Sequence, residues 1–225
     1  VKTAEGLGYD SVWTAEAYGN DAVTSAAYVL AQTSKIRVGT AIMQMPARTP
    51  AMCAMTAMSL DQLSGGRFIV GLGASGPQVV EGWHGVPYGK PVTRTKEYIQ
   101  IMRKIFEREG PVEFDGQMYQ MPNQSEGTTG LGKPLKSILA AASDIPIYTA
   151  SITPAGLRCA GEVADGVFPV WMDPNKYDVL GESIEQGFEK AGNGKSLKDF
   201  DVAPFVTVAM NDDLDAAYDA LRPWL

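Results

Sequence analysis

The sequence predicts a parallel α/β protein. Three observations carry that expectation. Strand-like and helix-like segments alternate along the chain. The strand-like segments, such as Phe68–Val70, are continuous apolar runs, which suits a sheet covered by helices on one face and filled on the other. The 225 residues are 45% hydrophobic and 20% charged, an ordinary globular composition with enough chain for one large core or two small ones. A doubly wound sheet and a (β/α)8 barrel both satisfy these observations, and a barrel usually takes about 250 residues.

Taken in order, Val1–Leu7 reads as the end of a helix, with Gly8 where a left-handed C-terminal glycine belongs. Asp10–Glu16 is a short buried strand that places Glu16 at its end. Asp21–Gln32 is helical, and the β-branched run Lys35–Met43 is the next strand. Thr49-Pro50 pairs an N-cap with a first-turn proline and opens a helix to about Leu63, whose Met52, Met55 and Met58 are expected to fill core gaps. Ser64-Gly65-Gly66-Arg67 is a tight turn before the strand of "RFIVGLG". Arg94–Glu109 is amphipathic, with Tyr98, Ile101, Met102, Ile105 and Phe106 at helical spacing. Pro111–Pro122 reads as a hairpin about Asp115-Gly116, and Asn123–Asp144 as a loop too long for a plain connection. Strand Ile145–Ser151, helix Pro154–Val163, strand Asp165–Met172, helix Asn175–Ala191, strand Asp199–Met210 and a helix from Asp213 to Leu225 complete the alternation. The chain is expected to be one domain with an insertion at about 110–144. Both ends read as interiors of helices, so a fragment of a longer chain is expected.

The composition narrows the function classes. A net charge of −7 without a basic run argues against nucleic acid or an anionic membrane as the main partner. No run approaches about 18 apolar residues, so no membrane span is expected. Cys53 and Cys159 lie far apart in apolar surroundings, which favours buried thiols in a reducing cytoplasm over a disulfide. With no CxxC spacing and one histidine, no metal site is expected.

Gly71-Leu72-Gly73-Ala74-Ser75-Gly76 matches the dinucleotide-binding string G-x-G-x-x-G. The fingerprint also needs a helix opening inside it and an acidic residue about 20 positions on, at the end of the next strand. Gly82, Gly85 and Pro87 stop any helix from Gln78 within two turns, and about 20 positions on lies Arg94–Glu97, which opens a helix. Two readings remain: glycines that ease a bend from strand to loop, or a strand end that lines a ligand at the top of a barrel.

Several segments together resemble the luciferase-like monooxygenase superfamily, on the branch of actinobacterial oxidoreductases that use the deazaflavin coenzyme F420. They are "GYDSVWTAEAYGNDA", "IRVGTAIMQMPARTPAMCAMTAMSLDQLSGGRFIVGLGASGPQVVEGWHGVPY", "TTGLGKPLKSI", "IPIYTASITPAG" and "AGEVADGVFPVWMDP". They occur in the family's order over nearly the whole chain, and "SGPQVVEGWHG" is the most specific. The resemblance implies a (β/α)8 TIM barrel of which this chain carries the second to seventh strands, the first and last being absent.

It also implies a site. Coenzyme F420, an 8-hydroxy-5-deazaflavin, or alternatively FMN, would lie in the barrel mouth against a bulge made by Thr40, Ala41 and Ile42, where the family often has a non-prolyl cis peptide. Gly73, Ala74, Ser75 and Gly76, with Gln78 on the same loop, would admit ribityl or phosphate oxygens. Ala150, Ser151 and Thr153 would hold the cofactor's phosphate tail at a helix N-terminus, although Ile152 and Thr153 depart from the family's glycine-rich turn and Thr153 is equally an N-cap. Glu16 is a candidate catalytic carboxylate, and a capping or salt-bridged residue is the competing reading. Several family members have a histidine after this acid, where this chain has Ala17. His84, the lone histidine, is the other acid–base candidate, and an incidental exposed histidine is its competing reading. The expected activity is hydride transfer between the deazaflavin C5 and a small organic substrate, in a cytoplasmic homodimer. An FMN-dependent monooxygenase on the same fold and a non-catalytic flavin-binding barrel are the alternatives.

Overall fold

The computed structural model describes residues 1–170 and 172–224. Helix α1 (Lys2–Gly6) leads into β1 (Ser11–Thr14), α2 (Ala22–Gln32) and β2 (Arg37–Thr40). After a two-residue break comes β3 (Met43–Gln44), then α3 (Pro50–Ser64), β4 (Phe68–Gly73), the short α4 (Pro77–Gly82) and α5 (Pro91–Glu107). An antiparallel pair, β5 (Phe114–Asp115) and β6 (Gln120–Met121), precedes β7 (Ile147–Ala150), α6 (Pro154–Val163), β8 (Gly166–Phe168), α7 (Asp178–Ala191), β9 (Asp201–Val202) and α8 (Leu214–Leu221).

The strands pair in the order β1-β2-β4-β7-β8-β9, with β3 also on β4, and every pairing within this sheet is parallel. Each new strand adds on the same side of the last. A doubly wound sheet reverses that order at a switch point, so this sheet is part of a (β/α)8 barrel, and its path has the six strand positions expected.

Local chemistry sets the boundaries. The side chains of Asp21, Thr49 and Thr153 accept hydrogen bonds from Thr24, Met52 and Gly156 N–H and so cap α2, α3 and α6. Gly65, at φ +67°, ends α3 in the left-handed conformation, which costs glycine nothing sterically. The Arg67 guanidinium then donates to the carbonyls of Leu30, Thr33, Ile36 and Ser64. It thereby adds donors at the carbonyl end of α2 and ties that end to the start of β4.

Two apolar layers flank the sheet. On the helix side Val38, Val70, Leu72 and Ile147 pack with Ala54, Met58, Tyr98 and Met102. On the other side Trp13, Ile69, Tyr148 and Phe168 fill the barrel interior. Glycines give these rings room: a Cβ on Gly39 would lie 2.1 Å from the Trp13 ring, one on Gly71 2.9 Å from Phe168, and one on Gly166 2.8 Å from Tyr148.

Four details depart from expectation. Met58 is buried, but Met52 and Met55 are both 54% exposed. Three-residue steps fall about 60° short of a full turn each, so the stripe winds off the buried face. The strand expected over Lys35–Met43 is broken at residues 41–42. The strand expected over Asp199–Met210 shrinks to Asp201–Val202 plus a bridge from Phe205 to Val170, because Pro204 has no N–H to donate and only one neighbouring strand pairs with this edge among the described residues. The strand expected over Asp165–Met172 ends at Phe168, and Trp171 lies outside the described residues. Cys53 and Cys159 are both free and buried, and burial pushes each thiol up to about 11.

Candidate functional site at the carboxyl ends of the strands

The site begins with a register mismatch. Val38 pairs with Phe68 and Met43 with Leu72, so five steps on one strand face four on the other and one residue is extruded. Ala41 N–H donates to Thr14 O at 2.7 Å, the peptide bond from Ala41 to Ile42 is cis, and both residues pack into the interior cluster with Trp13, Tyr148 and Phe168.

Residues on β4 are shaped to this bulge. The buried Thr40 hydroxyl donates to Gly71 O at 2.8 Å and accepts from Gly71 N–H at 2.9 Å. It thus takes the place of the ladder where the ladder fails. A Cβ on Gly71 would lie 1.8 Å from Thr40 O, and one on Gly73 2.7 Å from Ile42 Cδ1. The first two glycines of the G-x-G-x-x-G string therefore admit a neighbouring strand. At Gly73 the space a side chain would fill is taken by Ile42. The Thr40 hydroxyl is likewise engaged by Gly71 of β4.

Beyond β4, Ala74, Ser75 and Gly76 turn into α4. Ser75 adopts φ +59°, and its carbonyl accepts from Tyr88 Oη at 3.3 Å. Gln78 is exposed on α4. On the next strand, Ala150 and Ser151 follow β7. The Thr153 hydroxyl accepts from Gly156 N–H at 3.2 Å, so it is the N-cap of α6. A Cβ on Gly156 would lie 3.1 Å from both the Ser151 and Thr153 hydroxyls. The first turn of α6 is therefore open toward these two oxygens.

Glu16 lies just past the end of β1 with its side chain 8% exposed. Oε1 accepts from Gln44 N–H at 3.0 Å and Arg48 Nη1 at 2.7 Å, and Oε2 from Ala22 N–H at 3.2 Å and Arg48 Nη2 at 2.8 Å. Four donors match the roughly four lone-pair sites of a carboxylate, so this geometry leaves Glu16 no free acceptor for a substrate. Arg48 also pairs with Asp21. Burial works against the Arg48 charge, and hydrogen bonds and charge from Glu16 outweigh it, so its proton is held more tightly than usual.

His84, half-buried after α4, has Nε2 3.0 Å from Gln44 Oε1, and Gln44 Nε2 donates to Ala17 O at 2.7 Å. The structure thus joins Glu16 and His84 through Gln44, although no sequence pattern pairs them. Gln44, Arg48 and Tyr88 are the residues that sequence reasoning passed over. The available signal for Gln44 was a single amide inside the apolar run Ile42–Met45.

Comparison with known proteins agrees with this architecture. The family model described as luciferase-like monooxygenase matches residues 1–225. A Mycobacterium tuberculosis protein named as a candidate coenzyme F420-dependent oxidoreductase is 45% identical over all of this chain, which spans 65% of that protein. The 5,10-methylenetetrahydromethanopterin reductase of Methanolobus tindarius is 34% identical over 99% of the chain and 64% of its own length. Among solved structures, the coenzyme F420-dependent tetrahydromethanopterin reductase of Methanopyrus kandleri superposes with a TM-score of 0.82 at 28% identity, covering 97% of this chain and 64% of that one. An F420-dependent secondary alcohol dehydrogenase in complex with an F420–acetone adduct superposes with a TM-score of 0.83 at 25% identity, covering 98% and 67%. With a full-length family match, relatives of this similarity and a barrel whose strands follow in the expected order, the chain belongs to the luciferase-like monooxygenase family.

Proposed function

We propose that this chain is the cofactor-bearing part of a coenzyme F420-dependent oxidoreductase acting on a small organic molecule. The observation that carries the reading is the extruded Ala41–Ile42 segment, which β4 makes room for and which sits beside strand ends built of small residues. The residues present fit a tricyclic cofactor with a phosphate-bearing tail. Ala41 and Ile42 offer an apolar shelf. Ala74 and Ser75 leave the adjoining strand end without bulk, and Ser151 with the open first turn of α6 supplies hydroxyl and N–H donors for an anion. When bound, the deazaflavin supplies hydride chemistry at its C5. The protein's part is to hold the ring against Ala41–Ile42, exclude water and manage the substrate proton. In this reading Glu16 braces the bulge through Arg48 and Gln44, and His84 is the group left to move a proton. Assembly as a homodimer belongs to the same proposal, and light scattering on the full-length protein tests it.

The cofactor is tested by titrating full-length protein with F420 and with FMN and following the absorbance and fluorescence of each. Saturable F420 binding is expected, with FMN bound weakly. Retention of FMN without deazaflavin binding overturns the proposal in favour of an FMN-dependent monooxygenase. The Gly73→Val variant, which drives two methyl groups into Ile42, is expected to weaken F420 binding at least tenfold, about 1.4 kcal/mol.

A further inference from the structure

We propose that Gln44 is a positioning residue that locks His84 in the Nε2–H tautomer and so leaves His84 Nδ1 as the proton acceptor at the carboxyl end of the sheet. The use of that proton rests on the oxidoreductase reading above; the tautomer does not.

The argument starts at Ala17, whose carbonyl can only accept. Gln44 is 1% exposed, and one end of its amide lies 2.7 Å from Ala17 O. That end must be the NH2 group, since the reverse orientation sets two acceptors against each other in a buried place. Oε1 then faces His84 at 3.0 Å. Oε1 is an acceptor, so His84 Nε2 must carry a hydrogen, and in the neutral ring Nδ1 is bare. Among the described residues no group hydrogen-bonds Nδ1. The backbone holds this arrangement at both ends. Gln44 N–H is fixed by Glu16, which Arg48 grips on both oxygens, and His84 N–H is fixed by Val79 O at 3.1 Å.

The charged groups around the ring are already engaged. Glu16 and Asp21 pair with Arg48, and Glu81 on α4 accepts from Tyr88 N–H. Nδ1, without a hydrogen-bond partner among the described residues, is then the ring atom left to meet a ligand. The substrate class this suits is a small molecule with a hydroxyl or an N–H on the reacting carbon. Its O–H or N–H bond breaks, the electron pair stays on the heteroatom, and the proton forms Nδ1–H. The imidazolium that results keeps its Nε2–H directed at Gln44 Oε1. The reverse direction returns the proton.

The test reads the tautomer directly. Long-range proton–nitrogen spectra of the 15N-labelled full-length protein without cofactor, with the His84 signals assigned by their loss in His84→Gln, are expected to show the Nε2–H form. Gln44→Leu is expected to give a mixture. In turnover, Gln44→Leu is expected to lower kcat about tenfold with KM changed less than about twofold, and His84→Gln to lower kcat about a hundredfold. An Nδ1–H tautomer in the unmodified protein overturns the proposal, as does an unchanged tautomer in folded Gln44→Leu. Because the spectra need no cofactor, failure of F420 to bind would overturn the functional reading and leave the tautomer result standing.

Discussion

Thr40 shows how much one side chain settles here. Its hydroxyl is both donor and acceptor to Gly71 in a buried place where the β-ladder is interrupted, so Thr40→Val keeps the shape and strands both backbone groups of Gly71. Leaving buried polar groups unmade costs about 1–3 kcal/mol each, and Thr40→Val is expected to lower the unfolding free energy by roughly 2–4 kcal/mol, read as a lower denaturant midpoint at unchanged slope. The sequence placed Thr40 within a strand over Lys35–Met43 but did not show which way its hydroxyl turns, because that depends on a partner 31 residues away. The glycine string is the sharper case. Gly71 and Gly73 are legible as glycines that something must approach, and the approaching group is a neighbouring strand, which no local pattern names. His84 stood out as the only histidine, whereas its partner Gln44 did not, since an amide in an apolar run carries no periodic signature.

At the scale of elements, the capping signals of Thr49 and Thr153 were legible because they are local: each caps its helix within three residues of itself, so sequence spacing contains the whole interaction. Asp21 caps α2 in the same way, although the sequence reading placed it inside the helix. The Glu16–Arg48–Asp21 cluster is the opposite: it joins β1, the start of α2 and the turn before α3, and only the fold brings them together. Truncating Arg48 to Met would leave the nearly buried Glu16 carboxylate unpaired, with an expected loss of about 3–5 kcal/mol in chemical denaturation. The cluster also sets an acid limb. Burial works against ionisation of Asp21, but hydrogen bonds from Thr24 and the charge of Arg48 outweigh it and hold the carboxyl below its usual 3.8. A carboxyl with a lowered folded pKa stabilises the fold above its unfolded pKa and ceases to do so as pH falls through the folded one. The Asp21 contribution is therefore complete at neutral pH and disappears below about pH 4. Asp21→Asn is expected to flatten the dependence of the thermal midpoint on pH in that acid range and to leave the rest of the curve in place.

For the molecule as a whole, the alternation of strand and helix was enough to predict parallel pairing, and the order of strand addition then separates a barrel from a doubly wound sheet. That order is a three-dimensional fact: the alternation by itself left both open, and the resemblance to the luciferase-like family is what pointed to the barrel. Edge strands were least legible: the apolar run Asp199–Met210 looks like a full strand, yet only Asp201 and Val202 pair as one, because β-propensity expresses itself only where a neighbour supplies the other half of the ladder.

The rings that fill the barrel interior have a consequence for measurement. Trp13 lies 5.0 Å from Phe168 and 5.7 Å from Tyr148, centroid to centroid, packed with the Ala41–Ile42 segment. A ligand resting on that segment is one side-chain layer from an indole, whereas Trp83 is 67% exposed on a loop. The fold thus carries its own optical gauge of occupancy. Emission from Trp13 should be quenched in proportion to filling of the barrel mouth, and Trp13→Phe should reduce that response while Trp83→Phe spares it. A response left unchanged by Trp13→Phe would place the ligand elsewhere.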